Sequence, residues 1–213
     1  MKRSKSICIA IIMTTAVFIS LDSYGQMNMK MNLATPAASE LRTNMRKLWE
    51  DHVTWTRNVI CCLTDALPGA DQAVKRLLKN QDDIGNAIKP LYGQDAGNKL
   101  TALLHDHIII AADVVKAAKA SDNAGLDAAN KKWLANADEI STFLSKANPN
   151  WKEDDMKKMM RDHLKLTTDE AVARIKKDYD GDVAAYDKVH NEILEMSDML
   201  TDGIVKQFPD KFK

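Results

Sequence analysis

The sequence predicts an all-α protein, an antiparallel helical bundle of about six helices arranged as three pseudo-repeated helical hairpins of about 55 residues. Helix-breaking residues are scarce, with 8 glycines and 5 prolines among 213 residues. Apolar residues recur at the i, i+3, i+4, i+7 spacing of a helix that buries one face, most clearly over 100–118. A motif of aspartate followed by histidine also returns three times at nearly constant spacing.

Turn residues between the periodic segments predict where the helices begin and end. The predicted helices cover 38–66, 71–91, 95–120, 121–147 and a final segment from 150 to 208. Asp71 and Asp95 are the expected N-caps of the second and third helices, and Ser121 or Asp122 that of the fourth.

Two features predict interruptions in the final segment. Thr167 and Glu170 have the spacing of a capping box, so the chain should break and restart after Leu166. The triplet Asp180-Gly181-Asp182 predicts a bend or a division and is interpreted as a solvated turn, since the rest of a calcium loop is missing.

The N-terminal residues predict export. Residues 1–25 combine a basic start, an apolar run over 7–21 and small residues before Gln26, which is the pattern of a secretory signal peptide. The apolar run is shorter than the ~20 residues of a membrane-spanning helix. Residues 26–37 are predicted to be a flexible arm and 38–213 a single helical domain. We expect a periplasmic or extracellular protein whose mature chain has no transmembrane segment.

The charge of the mature chain argues against nucleic acid as a partner. The whole sequence has 30 basic and 30 acidic side chains. Removal of residues 1–25 takes away three basic residues and one acidic residue, leaving a formal charge of −2. Such a balance provides no electrostatic attraction to a polyanion.

The three aspartate-histidine motifs indicate an internal repeat. Their histidines, His52, His107 and His163, are 55 and 56 residues apart. A second element follows each motif: Asp83-Ile84-Gly85, Glu139-Ile140-Ser141 and Glu195-Met196-Ser197. Two helices in each copy make six, which favours a compact bundle; an open solenoid of three hairpins is the alternative.

Four of the five histidines are predicted to face the interior. Apolar neighbours at i−3 and i+1 place His52, His107 and His163 on buried helix faces, and Tyr186 with Ile193 does the same for His190. Neutral imidazole is a common ligand of zinc, copper or iron, and helical bundles build metal sites from inward side chains. The alternative is a set of separate core histidines, each hydrogen-bonded to a nearby polar group.

Other polar residues could support such a site. Asp83 and Glu139 are candidates to complete it or to orient its ligands. Arg57 lies between apolar residues and should need a carboxylate partner, for which Asp83 or Glu139 is again a candidate. Asp113 is a further polar candidate. The adjacent Cys61 and Cys62 are expected to be small buried residues rather than a disulfide.

Several stretches resemble an uncharacterised family of exported, all-helical bacterial proteins. They are LWEDHVTWTRNVI, NQDDIGNAIKPLYG, HIIIAADVVKAAKA, WLANADEISTFL, NPNW and GIVKQFP, and the likeness covers nearly all of 40–210. The resemblance implies one all-α domain and no catalytic residue. A glycosyltransferase name, which some relatives carry, is not supported by the residues of this chain.

These observations predict an exported, non-enzymatic helical bundle that binds a transition metal or a small ligand through inward-facing histidines. The first alternative is a structural or interaction protein of the envelope with core histidines and no ligand. The second is an enzyme, although the sequence has no HExxH, CxxC, Walker or GxSxG motif.

Overall fold

Six α-helices joined by turns of one to five residues make up residues 35–213, the part of the chain that the computed structural model describes. They are α1 (Pro36–Asp65), α2 (Ala70–Tyr92), α3 (Gln94–Lys119), α4 (Asn123–Ala147), α5 (Glu153–Ile175) and α6 (Tyr179–Gln207). A short 3-10 helix, Pro209–Lys211, follows α6, and residues 35–213 contain no strand. The predicted all-α class and helix number are confirmed.

The predicted signal peptide (1–25) and most of the predicted arm (26–34) lie outside the described residues. The last residues of the arm belong to α1, which begins two residues before the predicted start at 38. The side chain of Thr35 accepts a hydrogen bond from the backbone N–H of Ala38, and Pro36 occupies the first helical turn, where proline is favoured. Over residues 35–213, every helix is too short or too polar to cross a membrane.

The first turns of the middle helices differ in part from prediction. Asp122 caps α4 through its side chain, as predicted. However, α2 and α3 follow Gly69 and Gly93, which have φ angles of 97° and 87° and provide no side-chain cap. Asp71 and Asp95 therefore lie inside the first turns, where the helix dipole favours a negative charge.

The predicted break after Leu166 is wrong, because α5 continues without interruption to Ile175. Thr167 and Glu170 are buried in the middle of the helix, and Glu170 binds Arg57 instead of capping a helix end. The chain turns only at 176–178, where the side chain of Asp178 caps α6. Tertiary contacts of the capping-box residues thus override their local signal.

The six helices form a closed bundle. Each helix packs against the next in sequence, and α1 also packs against α6, which closes the ring. In addition, α1, α3 and α5 contact one another in the interior. The compact bundle is therefore confirmed, and an open solenoid, whose ends would remain apart, is excluded.

Close approach of α2 and α3 depends on two glycines. A Cβ atom on Gly85 would lie 2.7 Å from the backbone oxygen of Gly97, and one on Gly97 would lie 2.6 Å from that of Gly85. Both contacts are shorter than van der Waals distance and involve backbone that cannot swing aside. The absence of side chains at both positions thus lets the first and second hairpins pack closely.

Candidate functional site

Three histidines lie in the interior of the bundle. His52 on α1, His107 on α3 and His163 on α5 are 3%, 3% and 4% exposed. Their helices are the three that meet inside the ring. The inward orientation predicted from their apolar neighbours is therefore confirmed for these three residues.

Each buried histidine contacts a polar side chain located 29 residues further along the chain, on the outer helix of the same hairpin. The Nδ1 atom of His107 donates to Asn136 Oδ1 at 2.8 Å, and that of His163 donates to Glu192 Oε2 at 2.9 Å. His52 Nδ1 lies 3.2 Å from Gln81 Nε2. We call these three pairs, His52–Gln81, His107–Asn136 and His163–Glu192, the histidine clamps.

Sequence reasoning missed the outer members of the clamps. The signal was present, since the spacing between partners is 29 residues in all three hairpins. It was obscured because the three partner residues are chemically different: a glutamine, an asparagine and a glutamate. The acidic residues predicted from the sequence are close to these partners. Asp83 lies two residues after Gln81, on another face of α2, and Glu139 lies three residues after Asn136 but is exposed.

Both ring nitrogens of His107 are occupied. Asn136 donates its amide to the backbone oxygen of Leu103 at 3.0 Å, which turns its own oxygen towards Nδ1. Nε2 accepts from the indole N–H of Trp133 at 3.2 Å. A neutral imidazole has one donor and one acceptor, so both are satisfied. Burial, with a smaller contribution from His163, lowers the pKa of His107 to about 4 against the hydrogen bond of Asn136.

His52 and His163 are neighbours. Their ring centroids are 5.7 Å apart, and the edge of Trp49 is packed against His52. Burial, followed by the nearby His163 and His107, holds the pKa of His52 well below its usual value. His52 is therefore uncharged at neutral pH, while His163 contacts the carboxylate of Glu192.

The predicted four-histidine set does not come together. Across residues 35–213, no group of three or more His, Cys, Asp or Glu side chains is arranged to hold a metal ion. His190 does not face inward as predicted: its side chain is 31% exposed, with Nε2 3.3 Å from Glu50 Oε1. Its neighbour Val189 supplies the buried face of α6 at this level, so His190 points towards the edge of α1.

The predicted supporting carboxylates lie at the surface. Asp83 pairs with Lys79 one helical turn earlier, and Glu139 is exposed. Asp113 is also exposed, 3.8 Å from Lys116. The structure therefore places all three away from the buried histidines.

Arg57 has the carboxylate partners that its apolar surroundings predicted, but they are different residues. Nη1 donates to Glu170 Oε1 at 2.8 Å and to Asp182 Oδ1 at 2.9 Å, and Nη2 donates to Asp182 Oδ2 at 3.0 Å. Both carboxylates are 1% exposed. The interpretation of 180–182 as a solvated turn is thus wrong for Asp182, which joins α6 to α1.

Burial dominates the protonation of Glu170. It raises the pKa of this carboxyl to about 7, although Arg57 opposes the shift. The second oxygen, Oε2, is buried without a hydrogen-bond partner in residues 35–213. Arg174 extends the cluster, since it donates to Asp182 Oδ2 at 3.1 Å and to Asp65 Oδ2 at 2.5 Å.

Two cavities lie on either side of the buried histidines. The first, the histidine cavity, has a volume of about 30 Å³. It is lined by the three histidines, Trp49, Trp151 and apolar side chains from both the inner and the outer helices. The second has about 100 Å³ and begins one turn after the histidines, at Thr56, Ala111 and Thr167. We call it the threonine cavity.

The threonine cavity is mainly apolar. Its remaining lining comes from Val59, Ile60, Leu77, Ile108, Ala112, Val114, Val115, Ala118, Leu126, Asn130, Trp133, Thr168, Ala171 and Val172. Thr56 and Thr168 donate their hydroxyl hydrogens to backbone oxygens one turn earlier, at 2.8 and 2.7 Å. Thr167 is different: it is 5% exposed, and its hydroxyl has no hydrogen-bond partner among the described residues.

Cys61 and Cys62 are half-buried free thiols. Burial raises the pKa of the Cys61 thiol, with the nearby Arg174 and Arg57 acting in the opposite direction. A thiol with a raised pKa is less nucleophilic at neutral pH, which does not favour redox or nucleophilic chemistry.

Comparisons of the chain with protein-family models, curated proteins and solved structures gave no match.

Proposed function

We propose that the protein is exported and non-enzymatic, and that it binds a small, largely apolar molecule in the threonine cavity. The observation that carries this proposal is the Thr167 hydroxyl, which is buried in an apolar cavity and has no hydrogen-bond partner within residues 35–213. An unpaired buried hydroxyl costs free energy, and a ligand that pairs with it removes that cost. Few polar groups in an apolar pocket are typical of small-molecule sites.

The size of the cavity defines the class of ligand. An apolar protein cavity of about 150 Å³ can hold benzene. The threonine cavity is smaller, at about 100 Å³, so we propose a compact ligand with no more than a single six-membered ring. The apolar walls favour an aromatic or branched aliphatic body. Thr167 favours one hydrogen-bonding group on that body, such as a hydroxyl.

In this proposal the histidine clamps are structural. Each clamp joins the inner and outer helices of one hairpin, and the constant spacing of 29 residues supports descent of the three hairpins from one repeated unit. The His107 clamp also reaches the ligand site, because Trp133 both donates to His107 and lines the threonine cavity. The clamps would hold the cavity walls in place while the cavity is empty.

Ligand binding is tested with phenol and benzene as probes, by calorimetric titration and by the shift in melting temperature. The wild-type protein should bind both. Ala112→Leu, which fills the cavity, should abolish binding, whereas Ala135→Leu, the same change at an exposed position of α4, should not.

A second variant tests the role of the hydroxyl. Thr167→Val keeps the shape of the side chain, so it should weaken phenol about tenfold and benzene less than about twofold, as expected from the net value of one hydrogen bond. If Thr167→Val loses the same amount of affinity for phenol and for benzene, the Thr167 hydroxyl does not bind the ligand. Failure of the wild-type protein to bind either probe would overturn the proposed function and favour a structural protein of the envelope.

A further inference from the structure

The Arg57–Glu170 ion pair lies beside the threonine cavity and connects two of its walls. Arg57 is adjacent in sequence to Thr56 and three residues before Ile60, and both of these line the cavity. Glu170 is likewise next to Ala171 and three residues after Thr167, which also line it. The 2.8 Å contact between Nη1 and Oε1 therefore holds α1 against α5 at the cavity.

From this arrangement we infer that the Arg57–Glu170 ion pair is a proton-operated clasp: when Glu170 takes up a proton, the clasp loosens and ligand exchanges more rapidly with the threonine cavity. The inference rests on the proposed function, because it concerns access to the same cavity. A carboxylate binds an arginine more strongly than a neutral carboxyl group does, so proton uptake weakens the contact. The buried Oε2, which has no partner in residues 35–213, is a position for the added proton.

The groups that surround Glu170 are compatible with a change of protonation near neutral pH. From α1 these groups are Arg57, Cys61 and Asp65, the last of which contacts the cluster through its bond with Arg174. From α5 they are His163 and Arg174, and from α6 the group is Asp182. Burial and the charge of Asp182 favour the protonated carboxyl, whereas Arg57 and His163 oppose it. The cluster contains three carboxylates, those of Glu170, Asp182 and Asp65, and the two guanidinium groups of Arg57 and Arg174. One proton on Glu170 therefore balances the charge of the cluster.

Opening of the clasp does not require unfolding. Asp182 holds Arg57 with two hydrogen bonds of 2.9 and 3.0 Å and is itself held by Arg174 at 3.1 Å. The guanidinium group also lies 4.7 Å from the ring centroid of Tyr186. The contacts of Arg57 with Asp182 and Tyr186 keep α1 attached to α6 when the bond to Glu170 weakens. Arg174 on α5 still binds Asp182 and Asp65, so the change is confined to the part of α5 around Glu170.

The test is ¹⁹F exchange spectroscopy of fluorobenzene, a probe that does not itself titrate, with the full chain from pH 5.5 to 8.5. The dissociation rate should rise about tenfold as the pH falls, as expected from weakening of one charge-assisted hydrogen bond. The midpoint should lie near the pKa of Glu170, about 7. Glu170→Gln should exchange rapidly at every pH, while Glu195→Gln, the same change at an exposed position of α6, should behave as wild type.

The possible outcomes separate the two proposals. The clasp would be overturned, and the ligand site would stand, if fluorobenzene binds but its dissociation rate does not vary with pH. The same conclusion would follow if the dissociation rate from Glu170→Gln varies with pH as it does in wild type. Absence of fluorobenzene binding at every pH would overturn the ligand site and the clasp together. If the variant does not fold, amide hydrogen exchange of wild-type α1 near Arg57, corrected for intrinsic rates, should still accelerate below pH 7; no acceleration would refute the clasp.

Discussion

Acid unfolding of this protein should depend strongly on His107. Burial holds the pKa of this residue at about 4 in the folded chain, against 6.5 for an unperturbed histidine. A group with a lower pKa in the folded state binds its proton more tightly after unfolding, so protonation favours the unfolded chain. The stability that neutral His107 contributes is therefore fully present above pH 6.5 and is lost as the pH falls towards 4.

The size of the effect follows from the two pKa values. Their difference, from 6.5 to about 4, corresponds to about 3–4 kcal/mol at roughly 1.4 kcal/mol per unit. Since a folded domain is stable by only about 5–15 kcal/mol, this loss is a substantial fraction of the total.

His107→Gln isolates the titration from the hydrogen bonds. A glutamine amide can donate to Asn136 Oδ1 and accept from Trp133, as His107 does, but it does not titrate. We expect the variant to be less stable than wild type by about 1–2 kcal/mol at pH 8, because its shape differs from the imidazole. Near pH 4 the order should reverse, since only the wild type has lost the contribution of a neutral histidine.

Urea unfolding followed by circular dichroism at pH 8, 6.5, 5 and 4 measures these free energies. His105→Gln on the same helix is the matched control: its ring is half-buried, and Nε2 lies 3.1 Å from the backbone oxygen of Leu78 and 2.9 Å from Asp82 Oδ1. The control, whose ring lies outside the buried core, should not reverse the order of stability near pH 4. If the curves of wild type and His107→Gln run parallel from pH 8 to 4, the argument that burial keeps His107 neutral is refuted.

Three further predictions concern other parts of the bundle. Glu170 should show the opposite pH dependence, because its pKa in the folded chain, about 7, lies above its usual 4.5. The stability that the protonated carboxyl contributes is present at low pH and is lost as the pH rises through 7. In urea unfolding, the stability of Glu170→Gln relative to wild type should therefore increase by about 2–3 kcal/mol between pH 5 and pH 8. Gly85→Ala, which would place a Cβ atom 2.7 Å from the backbone oxygen of Gly97, should cost about 1–3 kcal/mol, whereas Asn86→Ala at the adjacent exposed position should change unfolding little. EDTA should leave the melting temperature unchanged, because residues 35–213 contain no three-ligand group of His, Cys, Asp or Glu; a large decrease would restore the metal hypothesis.

The sequence by itself determined the all-α class, the number of helices and the inward orientation of three histidines. Both depend on local pattern: apolar residues at helical spacing must share one face, and a residue surrounded by them shares that face. The same reasoning failed for His190, because only one of its apolar neighbours, Ile193, is fully buried, whereas Tyr186 lies at the edge of the buried stripe. Periodicity indicates the direction of a stripe but not its width, which depends on how closely α1 packs against α6.

Tertiary structure alone decided which polar groups meet. Arg57 needed a carboxylate, but only closure of the ring brought Glu170 and Asp182 to it, from 113 and 125 residues away. Closure of the ring also buries Thr167 and Glu170, the two residues with capping-box spacing. Thr167 then lines the cavity with its hydroxyl, and Glu170 becomes a buried carboxyl group. Such contacts depend on the rotation and spacing of helices that are distant in sequence, and these are set by packing of the whole core rather than by local residue pattern.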